Sequence, residues 1–113
     1  MFLPNNVKTK YLNMLFADRI KQLREQKHLP QRQLAAALEI DTATYCKIER
    51  GERRAKREQV SFIADLLGMD KNSLLNLWLA EQIYSVVKDE ENAEKVLDIV
   101  HDSVIEYKSG FKK

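Results

Sequence analysis

Residues 47–57 form the most strongly basic stretch of the chain, with six basic side chains and two acidic ones. Its local charge of +4 compares with +2 for all 113 residues. A cationic stretch of this kind either binds phosphate groups or forms the solvated end of a helix. Because charge alone does not distinguish these two roles, the elements that hold the stretch must do so.

Other kinds of site chemistry find little support in the sequence. There is no glycine loop that would cradle a phosphate, no HExxH motif, and no Ser or Cys nucleophile with an identifiable partner. Cys46 is the single cysteine, and His28 and His101 stand far apart with no ligands at metal-binding spacing. We therefore expect no catalysis, no cofactor, no metal and no small-molecule ligand.

Length and composition are typical of one helix-rich domain with an appended element. Hydrophobic residues make up 44% and charged residues 32%, with three glycines and two prolines. No apolar run approaches the ~18 residues of a membrane span, and residues 1–10 lack the apolar core of a secretory signal. We expect a cytoplasmic protein that does not bind membranes.

Apolar residues recur at helical spacing along the whole chain. The pattern predicts a first helix from about Leu12 to Gln26, a short second one opened by Pro30, and a third capped by Asp41 or Thr42. Two short helices joined by a short turn are typical of a helix-turn-helix. Further helices are predicted over 58–67, after residue 70, and from residue 89 with a near-heptad repeat.

The segment FADRIKQLREQKHLPQRQLAAALEIDTATYCKIERGERR resembles the helix-turn-helix domain of the phage repressor, Cro and XRE group. The resemblance covers about residues 14–68. It implies an all-α, five-helix lambda-repressor-like domain with an additional C-terminal helix. IERGERRAKRE followed by LLNLWLAEQIY is most similar to the controller proteins of restriction-modification systems. We expect 1–13 to be an N-terminal extension, 14–68 the DNA-binding core and 69–113 the dimerisation helices.

The resemblance implies that the third helix lies in the major groove of double-stranded DNA. If Tyr45 and Ile48 point toward the core, helical periodicity places four residues on the opposite, outward side of the third helix, where they are candidate base contacts. They are Thr42, Ala43, Cys46 and Lys47. Candidate phosphate contacts are Gln31, Thr44, Arg53, Arg54, Lys56 and Arg57. The family often carries a structural ion pair at the positions of Arg24 and Glu49.

Three residues depart from the family pattern. Pro30 replaces the usual Ser or Thr cap, and Glu39 stands where the turn usually has glycine. Either Glu39 accepts the strain of a positive φ or the turn differs. Asp41 would either repel phosphate or accept a hydrogen bond from cytosine N4.

A homodimer is expected because one helix-turn-helix reads few bases. The candidate interface combines the fifth helix with the last one: Leu75, Trp78, Leu79, Val96, Leu97 and Val100. The same residues could instead fold back onto the first and fourth helices. The alternative function is that of an antitoxin whose C-terminal helices bind a toxin.

Overall fold

A computed structural model describes residues 15–111, in which all the regular structure is helical. The helices are α1 (Phe16–Gln26), α2 (Gln31–Leu38), α3 (Thr42–Glu49), α4 (Arg57–Leu67), α5 (Lys71–Val87) and α6 (Ala93–Phe111). This confirms the all-α class, with five helices followed by a C-terminal one. The expected N-terminal extension, and the start of the first predicted helix, lie outside the described residues.

The chain divides into two compact units, one up to Glu81 and one from Gln82 onward. The first unit extends beyond residue 68, where the sequence placed the end of the core, because α5 contributes to that core. Leu74 has no exposed surface, and Trp78 packs against the same cluster. The remaining core consists of Ala55 from the loop after α3 and of apolar side chains from α1 to α4, among them Ile20, Leu34, Tyr45, Ile48, Val60 and Ile63.

Helix ends follow the sequence signals with small differences. Asp41 caps α3, and Asp70 accepts a hydrogen bond from the Ser73 backbone at the start of α5. Pro30 is the N-cap of α2, not its first helical residue as predicted. The last helix begins at Ala93 instead of residue 89, because residues 88–92 form turns.

Glu39 adopts the left-handed conformation, with φ of 59°. The backbone N–H groups of Glu39 and Ile40 donate to the carbonyls of Ala36 and Ala35 at 3.1 and 3.0 Å, which closes the end of α2. A left-handed non-glycine residue is disfavoured by roughly 1–2 kcal/mol. The turn therefore keeps its left-handed geometry and accepts the strain.

A carboxylate that is distant in the sequence accepts a hydrogen bond from the backbone at the start of α1. Leu15, at the N-cap, has no side chain that could accept a hydrogen bond, and Glu81 Oε2 accepts one from the Ala17 backbone at 3.1 Å. Burial raises the pKa of Glu81, although this hydrogen bond lowers it in part. Helix α5 thus holds the first helix of the same unit.

In the second unit, α6 is exposed over almost its whole length. Five of its apolar side chains recur at i, i+3 or i+4 spacing and remain 38–71% exposed: Val96, Leu97, Val100, Val104 and Tyr107. No helix of the described residues is long and apolar enough to cross a membrane.

Candidate nucleic-acid interface

Helix α3 presents one side to the core and the other to solvent. Tyr45 and Ile48 are buried, while Thr42, Ala43 and Lys47 are exposed together on the opposite side. The fourth predicted base contact, Cys46, is half-buried. Three of the four therefore share an accessible surface with donor and methyl groups that can contact base edges.

Asp41 holds the start of α3. Its Oδ1 accepts a hydrogen bond from the backbone N–H of Thr44 at 2.6 Å. Hydrogen bonds from Thr44 lower the pKa of Asp41, and the charges of Lys47 and Arg53 lower it further. The carboxylate therefore stays ionised and fixes the first turn of the helix, which explains an acidic residue beside a basic surface.

A buried ion pair joins α1 to the end of α3. Arg24 Nε and Nη2 donate to the two oxygens of Glu49 at 2.6 and 3.1 Å, and Arg24 Nη1 donates to the Leu29 carbonyl at 2.8 Å. The Glu49 side chain is 2% exposed. Burial opposes its charge, but hydrogen bonds from Arg24 and Gln31 outweigh burial and lower the pKa of Glu49. The pair fixes the orientation of α3.

Gln31, a predicted phosphate contact, belongs to the same network. Its Nε2 donates to Glu49 Oε1 at 3.0 Å, and its Oε1 accepts from the Cys46 thiol, with a Sγ to Oε1 distance of 3.0 Å. Because the ionised Glu49 can only accept, the amide nitrogen has to face it. A primary amide has two N–H donors, so the second is available for a phosphate at the start of α2. Cys46 thus orients Gln31 besides lying on α3.

Four of the six predicted phosphate contacts lie in the loop after α3 or at the start of α4. Arg53 and Arg54 are exposed, and Lys56 is the N-cap residue of α4, whose first residue is Arg57. The loop cations and residues of α3 together line a small pocket of about 70 Å³. It is lined by Thr44, Arg53, Arg54, Lys56 and Gln59 together with Ile40 and Ile48. Thr44 and three cations therefore face one concave surface that suits an anion.

Both ends of the loop are held by hydrogen bonds. The backbone N–H groups of Glu52 and Arg53 donate to the Lys47 carbonyl at 2.9 and 3.3 Å, and the Lys56 N–H donates to Gln59 Oε1 at 2.8 Å. Glu52 also forms an exposed ion pair with Arg50 at 2.9 Å. Arg50 is thus paired with a neighbouring carboxylate within the loop.

The six predicted dimer contacts lie in different environments. Leu75 and Trp78 are partly buried against the core of the first unit, whereas Leu79 is 39% exposed. The Trp78 Nε1 donates to the Ala55 carbonyl at 2.8 Å, a contact that no sequence pattern revealed. On α6, Val96, Leu97 and Val100 are all exposed.

A family model described as a helix-turn-helix domain matches residues 15–77, more than half of the chain. The matched region contains α1 to α4 and the start of α5. No curated protein and no solved structure matches the chain. Within residues 15–111, no three His, Cys, Asp or Glu side chains group as a metal site would require.

Proposed function

The chain belongs to the helix-turn-helix domain family, and we propose that it is a sequence-specific DNA-binding regulator of transcription. The observation that carries this proposal is the exposed side of α3, where Thr42, Ala43 and Lys47 stand together beside a cationic loop. In the helix-turn-helix docking geometry, this side of α3 enters the major groove and α2 crosses the backbone. Catalysis has no part in the proposed function.

The proposed contacts divide into two groups with different roles. Thr42, Ala43 and Lys47 read base edges, since lysine donates to guanine O6 or N7 and methyl groups contact thymine. The contacts to phosphates set affinity and register but carry no sequence information. They are Gln31, Thr44, Arg53, Arg54, Lys56 and Arg57.

Selection of bound sequences from a random duplex pool tests the proposal. Because two-fold dimers bind half-sites one helical turn apart, the selected sequence should be an inverted repeat with half-site centres ~10 base pairs apart, or a multiple of that distance. Recovery of no preferred sequence would contradict specific recognition. The selected duplex then serves as the operator in the measurements below.

Replacing Lys47 by alanine should weaken operator binding by about 1–3 kcal/mol and relax the preference at one position in each half-site. The physical reason is that an ammonium donor to a guanine is lost, while the contacts to phosphates remain. Competition binding against single-base operator variants measures the effect. Lys21→Ala, an exposed lysine on α1, is the matched control. Equal losses on operator and random duplex would rule out base readout by Lys47.

Replacing Arg53 and Arg54 together by alanine should weaken binding to every sequence alike. If each contacts one phosphate, the slope of log affinity against log salt becomes shallower by roughly two units per protomer, because fewer counterions are released. A salt titration on operator and random duplex measures the slope. Arg50→Ala is the control, since its charge is paired with Glu52. An unchanged slope in the double variant would mean that the loop is only solvated.

We further propose a homodimer in which α6 pairs with its counterpart in a second copy. Support comes from the exposed apolar side of this helix, whose spacing at Leu97, Val100, Val104 and Tyr107 follows the a and d positions of a heptad. Leu79 would extend the interface from α5. Because Leu75 and Trp78 already pack against the core, their share in the interface is the smaller one.

The regulated locus follows from the resemblance of 48–58 and 74–84 to controller proteins, and we propose a restriction-modification locus. A methyltransferase or endonuclease gene beside this one would support that assignment. The exposed side of α6 also fits the antitoxin alternative, in which a toxin and not a second copy would cover it. A small toxin gene next to this one would favour that alternative.

A further inference from the structure

Trp78, the single tryptophan of the chain, contacts the loop that follows α3. Its Nε1 donates to the Ala55 carbonyl at 2.8 Å. Ala55 is 2% exposed, so its side chain and this hydrogen bond anchor the loop to the first unit from within. Arg54 and Lys56, the neighbours of Ala55 in the chain, are both exposed, while Ala55 belongs to the core cluster against which Trp78 packs.

Ala55 lies among the basic residues of the loop, so the hydrogen bond that holds its carbonyl also restricts the backbone that carries their side chains. Backbone hydrogen bonds to the Lys47 carbonyl hold the beginning of the loop, and Lys56 is held at its end by Gln59. Trp78 fixes the loop between these two ends. A loop ordered before binding avoids the entropy that a flexible one would lose when its side chains meet the phosphates.

We propose that Trp78 is a positioning residue for DNA binding: by holding the Ala55 carbonyl it orders Arg53, Arg54 and Lys56 against the phosphate backbone. This inference rests on the proposed function. It assigns to α5 a direct part in DNA affinity in addition to its packing in the core. Since phosphate contacts carry no sequence information, Trp78 affects affinity for all sequences and leaves base preference unchanged.

Trp78→Phe tests the inference because it keeps an aromatic ring and removes the N–H donor. Loss of this hydrogen bond should weaken binding to both the operator and a random duplex about three- to tenfold. The salt slope should stay as in the parent protein, since the same cations still reach phosphates. Ile63→Val is the control: it removes one buried methylene from α4 and should lower the melting temperature without changing affinity.

A double-mutant cycle separates positioning from general destabilisation. In the Arg53→Ala, Arg54→Ala background, Trp78→Phe should cause a clearly smaller further loss of affinity, because two of the three side chains it positions are absent and only Lys56 remains. An equal loss in both backgrounds, or parent-like affinity of the single variant, would overturn the inference. Failure of the parent protein to bind any duplex would instead refute the proposed function.

Tryptophan emission gives a second measurement that needs no variant of Trp78. A duplex bound to the loop of the parent protein brings phosphate charges beside the backbone that holds the Trp78 N–H, so the emission of this residue should change although the loop is already ordered. The Arg53→Ala, Arg54→Ala protein should show a much smaller change at saturation. Unchanged emission of the parent protein at saturating duplex would overturn the inference even if Trp78→Phe failed to fold.

Discussion

Replacing Arg24 by alanine is expected to lower the free energy of unfolding by about 3–5 kcal/mol, because it leaves the Glu49 carboxylate buried without its cationic partner. Denaturant titration of the folded protein measures the loss. Lys21→Ala, an exposed residue of the same helix, is the matched control and should change stability little. In the Arg24→Ala background, Glu49→Gln should recover part of the loss, since it removes the buried charge.

The same ion pair predicts how stability depends on pH. The pKa of Glu49 is lowered in the folded protein, so the folded state binds fewer protons than the unfolded state near the ordinary value of 4.5. The stabilisation is thus present above the ordinary pKa and is lost as pH falls through the folded one. Without Arg24, burial would instead raise the pKa of Glu49. The difference in unfolding free energy between the parent protein and Arg24→Ala should therefore become smaller as the pH falls. A deficit independent of pH would contradict the assignment.

Replacing Val100 and Val104 together by aspartate is expected to abolish self-association and to weaken operator binding by about 10²-fold or more. Each protomer would then bind its half-site separately and lose the effective concentration that a linked second site provides. Sedimentation at micromolar concentration measures the association, and titration of the operator measures affinity. Because both side chains are exposed in α6, the substitutions leave the core of the first unit intact.

A matched control lies on the same helix. Ile99 and Ile105 are 66% and 54% exposed but fall outside the heptad positions, so aspartate at both should leave the dimer intact. Equal effects of the two double variants would show that charge, not the apolar face, is responsible. A parent protein that sediments as a monomer and still binds an inverted repeat tightly would contradict the dimer.

The sequence was sufficient for the helices and for the exposed side of α3. Helical periodicity and turn signals depend on neighbours within one or two turns. The pattern therefore predicted the all-α fold class and the solvent-facing side of Thr42 and Lys47 without information on contacts between distant residues. Asp41 and Thr42 could be named as the two candidate caps for the same reason, and the structure has Asp41 in that position. The open question about Glu39 needed the structure, because strain in a turn is accepted or avoided according to how Ile40 packs beyond it.

Contacts between side chains far apart in the chain could not be predicted from the sequence. Gln31 was expected to contact a phosphate, and in the structure its side-chain amide forms hydrogen bonds with Glu49 and Cys46. Trp78 was expected either at a dimer interface or folded back onto the first and fourth helices, and its hydrogen bond to the Ala55 carbonyl was not foreseen. The hydrogen bond from the start of α1 to Glu81 was not foreseen either. The sequence alone determined which helices form and which side of each is apolar. Only tertiary packing decided which polar atoms meet, because a hydrogen bond between distant residues exists only once the helices are in place.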